Sequence, residues 1–258
     1  TFFATFPLLI LLKSHKKATS FSWREVLKPM LTLAVFALLF LMIRHSVLSK
    51  IASGDPSIAD NLLMAAKSYD QKFATAVLIL GMYLKLLFIP HPLVFDYSYN
   101  QIPLVGIGNM WFILSLLIHT GLLIWAILIW KKNKLLSFTV LFYFISMSIY
   151  SNIFYMIGSS FGERFLYTAS FGFCMAVAYA LSLISRNQNA ENVVAFFKNN
   201  LTVLLILLPV AAAFAYKTIT RNTVWKSNYT LYANDVNLSP NSTRTHYYYG
   251  NLLAKDDF

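Results

Sequence analysis

The chain has 258 residues, of which 58% are hydrophobic and only 12% charged, and the apolar positions come in long runs rather than at a 3.6- or 2-residue period. That pattern excludes a soluble globular domain and predicts an all-α, polytopic helical membrane protein. A net charge of +11 does not point to nucleic acid, because Lys and Arg form short clusters beside apolar runs, where positive-inside topology accounts for them.

The first apolar run, residues 1–12, reads as the end of a spanning helix, and the basic "KSHKK" that follows is expected on the cytoplasmic side. A second span is predicted over 27–43, with Pro29 in its first turn. Residues 44–72 form a mixed-charge loop, with "SGDPS" as a turn and a surface helix over 58–69 capped by Asp60. Residues 73–88 are apolar except for Lys85. Further spans are predicted over 105–130, 135–157, 167–184 and 201–216, separated by "KKNK", "GSSFGER" and a polar linker.

Counting Lys and Arg orients these spans. With "KSHKK", "KKNK" and the 185–200 linker inside, the inner loops hold ten basic residues and the outer loops five. This arrangement puts both ends of 73–88 on the outer side, so that segment is expected to be re-entrant or interfacial, with Lys85 reaching the headgroups. Three features then share the outer face: the strip "FIPHPLVFDYSYNQIP" (Phe88 to Pro103), the "GER" of Gly162 to Arg164, and everything after Tyr216.

The strip holds a histidine, an aspartate, two tyrosines, an asparagine and a glutamine between stiffening prolines. Irregular backbone at membrane depth is tolerated against protein or a water-filled cavity, so the strip is a candidate lining for a site that receives a hydrophilic group. Its bland reading is an interfacial loop whose tyrosines anchor in headgroups. Glu163 and Arg164 lie side by side at a helix end, where Arg164 could hold a phosphate and Glu163 orient it or accept a proton; the alternative is an ion pair or cap. His119, inside a span, reads as a functional ionisable group or as a neutral histidine bonded within the bundle. The single cysteine, Cys174, permits no internal disulfide. No HExxH, P-loop or CxxC occurs, which leaves those familiar soluble-enzyme chemistries without support.

After Tyr216 the sequence turns polar. Trp225, Leu231, Tyr232 and Val236 fall at helical spacing, Pro240 interrupts, and "YYYGNLL" (Tyr247 to Leu253) begins a second helical stretch, as at the entry to a tetratricopeptide array. One such unit cannot bury its own apolar face, and Thr1 opens inside an apolar run without an initiator Met; the chain is therefore expected to be a fragment at both ends. The predicted organisation is a membrane domain over 1–216 and an outer linker with the first repeat helices over 217–258.

As an ordered set, "HPLVFDYSYNQIP", "ERFLYTASFGF" and an outer "RNTVW" before the repeat start resemble the transmembrane and tetratricopeptide-repeat protein O-mannosyltransferases and their bacterial relatives, from about Ser53 onward. The resemblance implies a C-type glycosyltransferase fold. It implies an enzyme that moves a sugar, mannose in this family, from a polyprenyl-phosphate carrier to protein hydroxyls on the outer or lumenal face. The essential acidic residues of such enzymes lie in the first outer loop, which places the main catalytic acid upstream of Thr1. Within this chain, Arg164 and Glu163 would meet the carrier phosphate. His91, Asp96, Tyr97, Asn100 and Gln101 would shape the sugar or acceptor pocket, and the repeats would present acceptor proteins. No metal ligand set is implied, and a need for a divalent metal is left open. A membrane-anchored scaffold and a lipid-linked-sugar transporter are the alternatives. Lys- and Asn-rich loops favour a bacterial inner membrane; in a eukaryote the endoplasmic reticulum would be expected, where "NYT" and "NST" would be glycosylation sequons.

Overall fold

A computed structural model describes residues 23–48, 57–185 and 200–256, with Thr5, Leu9 and Val194 as single helical positions outside those ranges. The expectations for 1–12, "KSHKK" and most of the 185–200 linker lie outside the described residues. Among the described residues the protein is all helical: α1 (Trp23–Leu48), α2 (Tyr69–Phe88), α3 (Met110–Ile129), α4 (Lys134–Ser148), α5 (Tyr167–Ile184), α6 (Leu201–Val224), α7 (Asn228–Leu238) and α8 (Thr243–Asp256), with short 3₁₀ turns at Leu62–Ala65 and Glu163–Leu166. Five helical segments are long and apolar enough to cross a bilayer: Leu27–Val47, Tyr69–Phe88, Met110–Ile129, Glu163–Ile184 and Leu201–Val224. Large apolar side chains such as Leu31, Phe36 and Met42 on α1 and Leu205 on α6 are exposed, as lipid-facing positions should be. The protein is a multi-pass membrane protein.

Helix starts follow the capping residues. Ser68 accepts from Gln71 N at the start of α2, Asn109 from Trp111 N and Phe112 N at the start of α3, and Asn133 from Leu136 N at the start of α4. Small residues set the helix contacts. Ser115 of α3 donates to Val77 O at 2.6 Å, and a Cβ at Gly81 would come within 2.8 Å of the Ser115 hydroxyl. A Cβ at Gly172 of α5 would come within 2.7 Å of Thr139 O on α4. Both pairs are close approaches of the kind that hold helices together where water supplies no hydrophobic drive.

His119 is buried, with Nδ1 2.8 Å from Ser115 O and Nε2 3.1 Å from the Tyr143 hydroxyl. Both ring nitrogens are occupied, which favours the structural of its two readings.

Three sequence expectations meet a different local structure. The helix expected over 135–157 ends at Ser148. Its 15 residues reach about 22 Å, short of a bilayer core of about 30 Å. Beyond it the chain wraps around Asn152, which has φ 56° and is itself a left-handed asparagine; its Oδ1 accepts from Ile157 N and from Asn61 Nδ2, at 3.0 Å each. The surface helix expected over 58–69 is instead a turn and a 3₁₀ turn capped by Asn61, with Leu62 and Leu63 fully buried. Two adjacent buried leucines suit a chain passing over a core rather than a one-faced surface helix. Residues 73–88 belong to one unbroken helix that begins at Tyr69.

The core lies where these irregular segments meet. Tyr83 and Ile79 of α2 pack with Tyr143 and Met147 of α4 and with Tyr97 and Phe161 from the two loops.

Candidate functional site

The strip is held by three parts of the chain. From one side, Glu163 Oε1 accepts from Val94 N at 3.0 Å and from the Tyr97 hydroxyl at 2.7 Å. The Tyr97 ring sits edge-on to Phe161, whose neighbour Gly162 donates its N–H to the Tyr83 hydroxyl of α2. Burial, followed by the adjacent Glu163 charge, pushes the Tyr97 phenol far above its ordinary range, so it stays a donor at any working pH.

From the second side, the strip meets the junction of α6 and α7. Asp235 of α7 is completely buried, and four donors surround it: Arg221 of α6 in a bidentate pair at 2.7 and 2.9 Å, Phe95 N of the strip at 2.6 Å, and Asn234 Nδ2 at 2.7 Å. The carboxylate is thus fully satisfied, the condition under which a buried charge is tolerable.

The third contact is a zipper to the start of α8. Asn100 N donates to Asn241 O at 2.8 Å, and Asn241 N donates to Gln101 Oε1 at 3.0 Å. Thr243 N donates to Tyr99 O at 2.9 Å, and the Ser98 and Ser242 hydroxyls lie 3.1 Å apart. Asp96 accepts from Ser98 N at 2.8 Å, from the Ser242 hydroxyl at 3.0 Å and from Arg244 at 3.3 Å, while the other arm of Arg244 pairs with Asp60. The Ser57 hydroxyl and then Arg244 hold the Asp60 carboxyl below its ordinary value of 3.8.

The sequence-predicted residues therefore separate. Glu163 and Tyr97 meet each other as buttresses. Asp96 and Gln101 turn their side chains to the tail, and Asn100, itself exposed, bonds the tail through its backbone N–H. Arg164 is exposed, its guanidinium 4.7 Å from the Phe165 ring centroid, and among the described residues it pairs with no carboxylate. His91 is exposed beside Lys217 of α6, with Nδ1 3.2 Å from Lys217 Nζ. Lys217, Arg221, Asp235, Ser242 and Arg244 were not singled out from the sequence. The signal available for Arg221 was the "RNTVW" stretch, but its pairing with Asp235, 14 positions away across a helix junction, cannot be read from spacing. Among the described residues no group of three His, Cys, Asp or Glu could hold a metal ion.

A cavity of about 630 Å³ lies between α2, α3 and Pro103. Its walls are apolar apart from Lys85, Ser115 and His119.

No family model and no solved structure matches the chain. Among curated proteins it is 28% identical over 188 residues to mouse Protein O-mannosyl-transferase TMTC1, 33% identical over 174 residues to a Protein O-mannosyl-transferase of Caenorhabditis elegans, and 26% identical over 204 residues to mouse Protein O-mannosyl-transferase TMTC4. The chain is similar to the TMTC protein O-mannosyl-transferases. These alignments cover 70, 66 and 77% of the chain but only 19, 23 and 25% of the relatives, so the chain spans about a fifth to a quarter of the TMTC proteins it matches.

Proposed function

We propose that this chain is part of a membrane glycosyltransferase that moves mannose from a polyprenyl-phosphate carrier to protein hydroxyls on the outer or lumenal face. The observation that carries the proposal is the similarity to proteins named protein O-mannosyl-transferases over 66 to 77% of the chain. In the reaction, the acceptor hydroxyl attacks the anomeric carbon, the bond to the carrier phosphate breaks, and the phosphate leaves with the electron pair. The hydroxyl proton needs a base. The four carboxylates that touch the strip or its clamps, Asp60, Asp96, Glu163 and Asp235, are each held by donors. This supports placing the base elsewhere in the whole protein.

In this reading Arg164 remains the candidate for the departing phosphate, because its donors face no carboxylate. Glu163 is a positioning residue that holds the strip. The apolar cavity between α2 and α3 has room for a segment of the polyprenyl chain. The hairpin of α7 and α8 is the start of a tetratricopeptide array that presents acceptors. The presence of mouse and worm proteins among the relatives supports an endoplasmic reticulum membrane over a bacterial one.

The interfacial reading of α2 has support from both of its ends. In its second turn, Thr75 Oγ1 accepts from Val105 N, two residues past the strip; near its finish, Leu86 shares a cavity with Lys217 and Arg221, where α6 gives way to the tail. Cysteines placed at Ser68 and Ile89 should both react with a membrane-impermeant reagent from the outer side. Labelling of only one would mean that α2 crosses.

The direct test is transfer of radiolabel from synthetic polyprenyl-phosphate-mannose to protein in membranes containing the full-length parent, against membranes lacking it. Parent-dependent label is expected, with a loss of ten- to a hundredfold, on the order of one phosphate-stabilising interaction, for Arg164→Ala. Absence of parent-dependent label with the donor intact would favour the scaffold or transporter alternatives.

A further inference from the structure

We propose that the cleft between the beginning of the strip and the outer turns of α6 binds the phosphate ester of a lipid, with Lys217 and His91 as its ligands. The inference depends on the transferase reading only for the identity of one lipid.

Two basic groups meet here without an acid. Lys217 Nζ lies 3.2 Å from His91 Nδ1, and among the described residues Lys217 has no carboxylate partner. The ammonium has no acceptor lone pair, so it donates and His91 Nδ1 accepts. That fixes the neutral imidazole as the tautomer with its proton on Nε2. The cleft consequently presents the remaining Lys217 N–H groups and the His91 Nε2–H, all donors. Arg221, which lines the same space, is already matched by Asp235 in its bidentate pair. One positive charge is left over.

The surroundings specify what would neutralise it. Two adjoining cavities, about 300 and 230 Å³, share Lys217, Arg221 and Leu93. Each exceeds the volume of several waters at roughly 30 Å³ apiece, so either accommodates a phosphate group. Thr220 and Asn234 add hydrogen-bonding capacity to one, while Leu86, Pro90 and Phe214 give the other an apolar floor. Lys217 is also the first charged residue after the apolar run from Leu201 to Tyr216, which puts it at headgroup level. An anion with an apolar tail meets both conditions, and phosphate esters of lipids carry their charge at that junction.

Two sources share this chemistry, the polyprenyl-phosphate sugar and the anionic phospholipids of the bilayer. The test uses the full-length protein in phosphatidylcholine nanodiscs and measures binding of polyprenyl-phosphate-mannose and of phosphatidylglycerol separately. Lys217→Met, which keeps the apolar stem, should weaken at least one of them about five- to tenfold, and Lys217→Arg should stay within about twofold of the parent. Selective loss of the polyprenyl lipid would make the cleft a donor subsite; selective loss of phosphatidylglycerol would make it a site for membrane lipid; either supports the inference. Unchanged affinity for both lipids in Lys217→Met overturns it. Should that variant fail to fold, His91→Phe serves instead, with the same two readings. Because binding is measured without sugar transfer, a failed transferase assay would leave this result standing.

Discussion

The two ends of the strip make opposite use of similar polar side chains. From Phe95 to Gln101, the strip is tied down: Asp96 by Ser242 and Arg244, the Asn100 backbone and the Gln101 side chain by Asn241, and Tyr97 by Glu163. At the other end, His91 meets only another base. A polar residue whose partners come from the same chain is spent on the fold, whereas a charge left unmatched beside a cavity is available to a ligand. Sequence composition does not distinguish the two cases.

The largest effect that could break this contrast is at the buried pair. Asp235→Ala or Arg221→Ala should cost about 3–5 kcal/mol, because each leaves the other group without its charge partner, Asp235 in particular in a fully buried place. Release of α7 and α8 from the strip should follow, seen as faster proteolysis of the tail in the full-length protein with the membrane helices still protected. A tail that stays resistant would mean that Asp235 does not hold it. The double variant should cost less than the sum of the two singles.

Of intermediate size is the buttress. Tyr97→Phe removes a hydrogen bond to a charged carboxylate, worth about 1.5–3 kcal/mol, while keeping the ring against Phe161. Glu163→Gln keeps an acceptor for Val94 N, so it should be milder than Glu163→Ala in thermal unfolding. A proton-transfer role would instead make Glu163→Gln and Glu163→Ala equally inactive with unfolding temperatures unchanged. That outcome would move Glu163 from positioning to chemistry.

The smallest effect sharpens the comparison at the outer rim. Asp60 is partly exposed, and its pairing with Arg244 contributes little in water. Its carboxyl is depressed below 3.8, so its contribution is fully present above that value and is lost as pH falls through the lower folded one. Tail protection should therefore soften below about pH 4, and Asp60→Asn should reduce that acid dependence. An identical acid profile in Asp60→Asn would assign the dependence to other carboxylates.

What was legible in the sequence follows from the solvent. Long uncharged runs must be helices in lipid, since every backbone group has to be paired within its own segment, and α1, α3, α5 and α6 fall on such runs, with ends that differ from the sequence reading by up to eight residues. The helical spacing of Leu231, Tyr232 and Val236 and the break at Pro240 likewise correspond to the two tail helices. The local rules weakened where long-range contacts dominate. The early end of α4 depends on Asn152 reaching Asn61, 91 positions away, and the burial of Leu62 and Leu63 replaces the expected surface helix.

The candidate site was legible only as a set of residue types on one face. Glu163, Arg164 and the polar members of the strip could be named because polar groups beside apolar runs are costly and need a reason. Their division into buttress, tail clamp and cationic cleft required Glu163 to meet Val94, Arg221 to meet Asp235 and Lys217 to meet His91, over separations of 69, 14 and 126 positions. Composition by itself determined that this protein is helical and lives in a membrane, because burial of backbone and apolar surface is decided segment by segment. Only the tertiary structure decided which charges are matched, because pairing depends on distances between segments that no local pattern encodes.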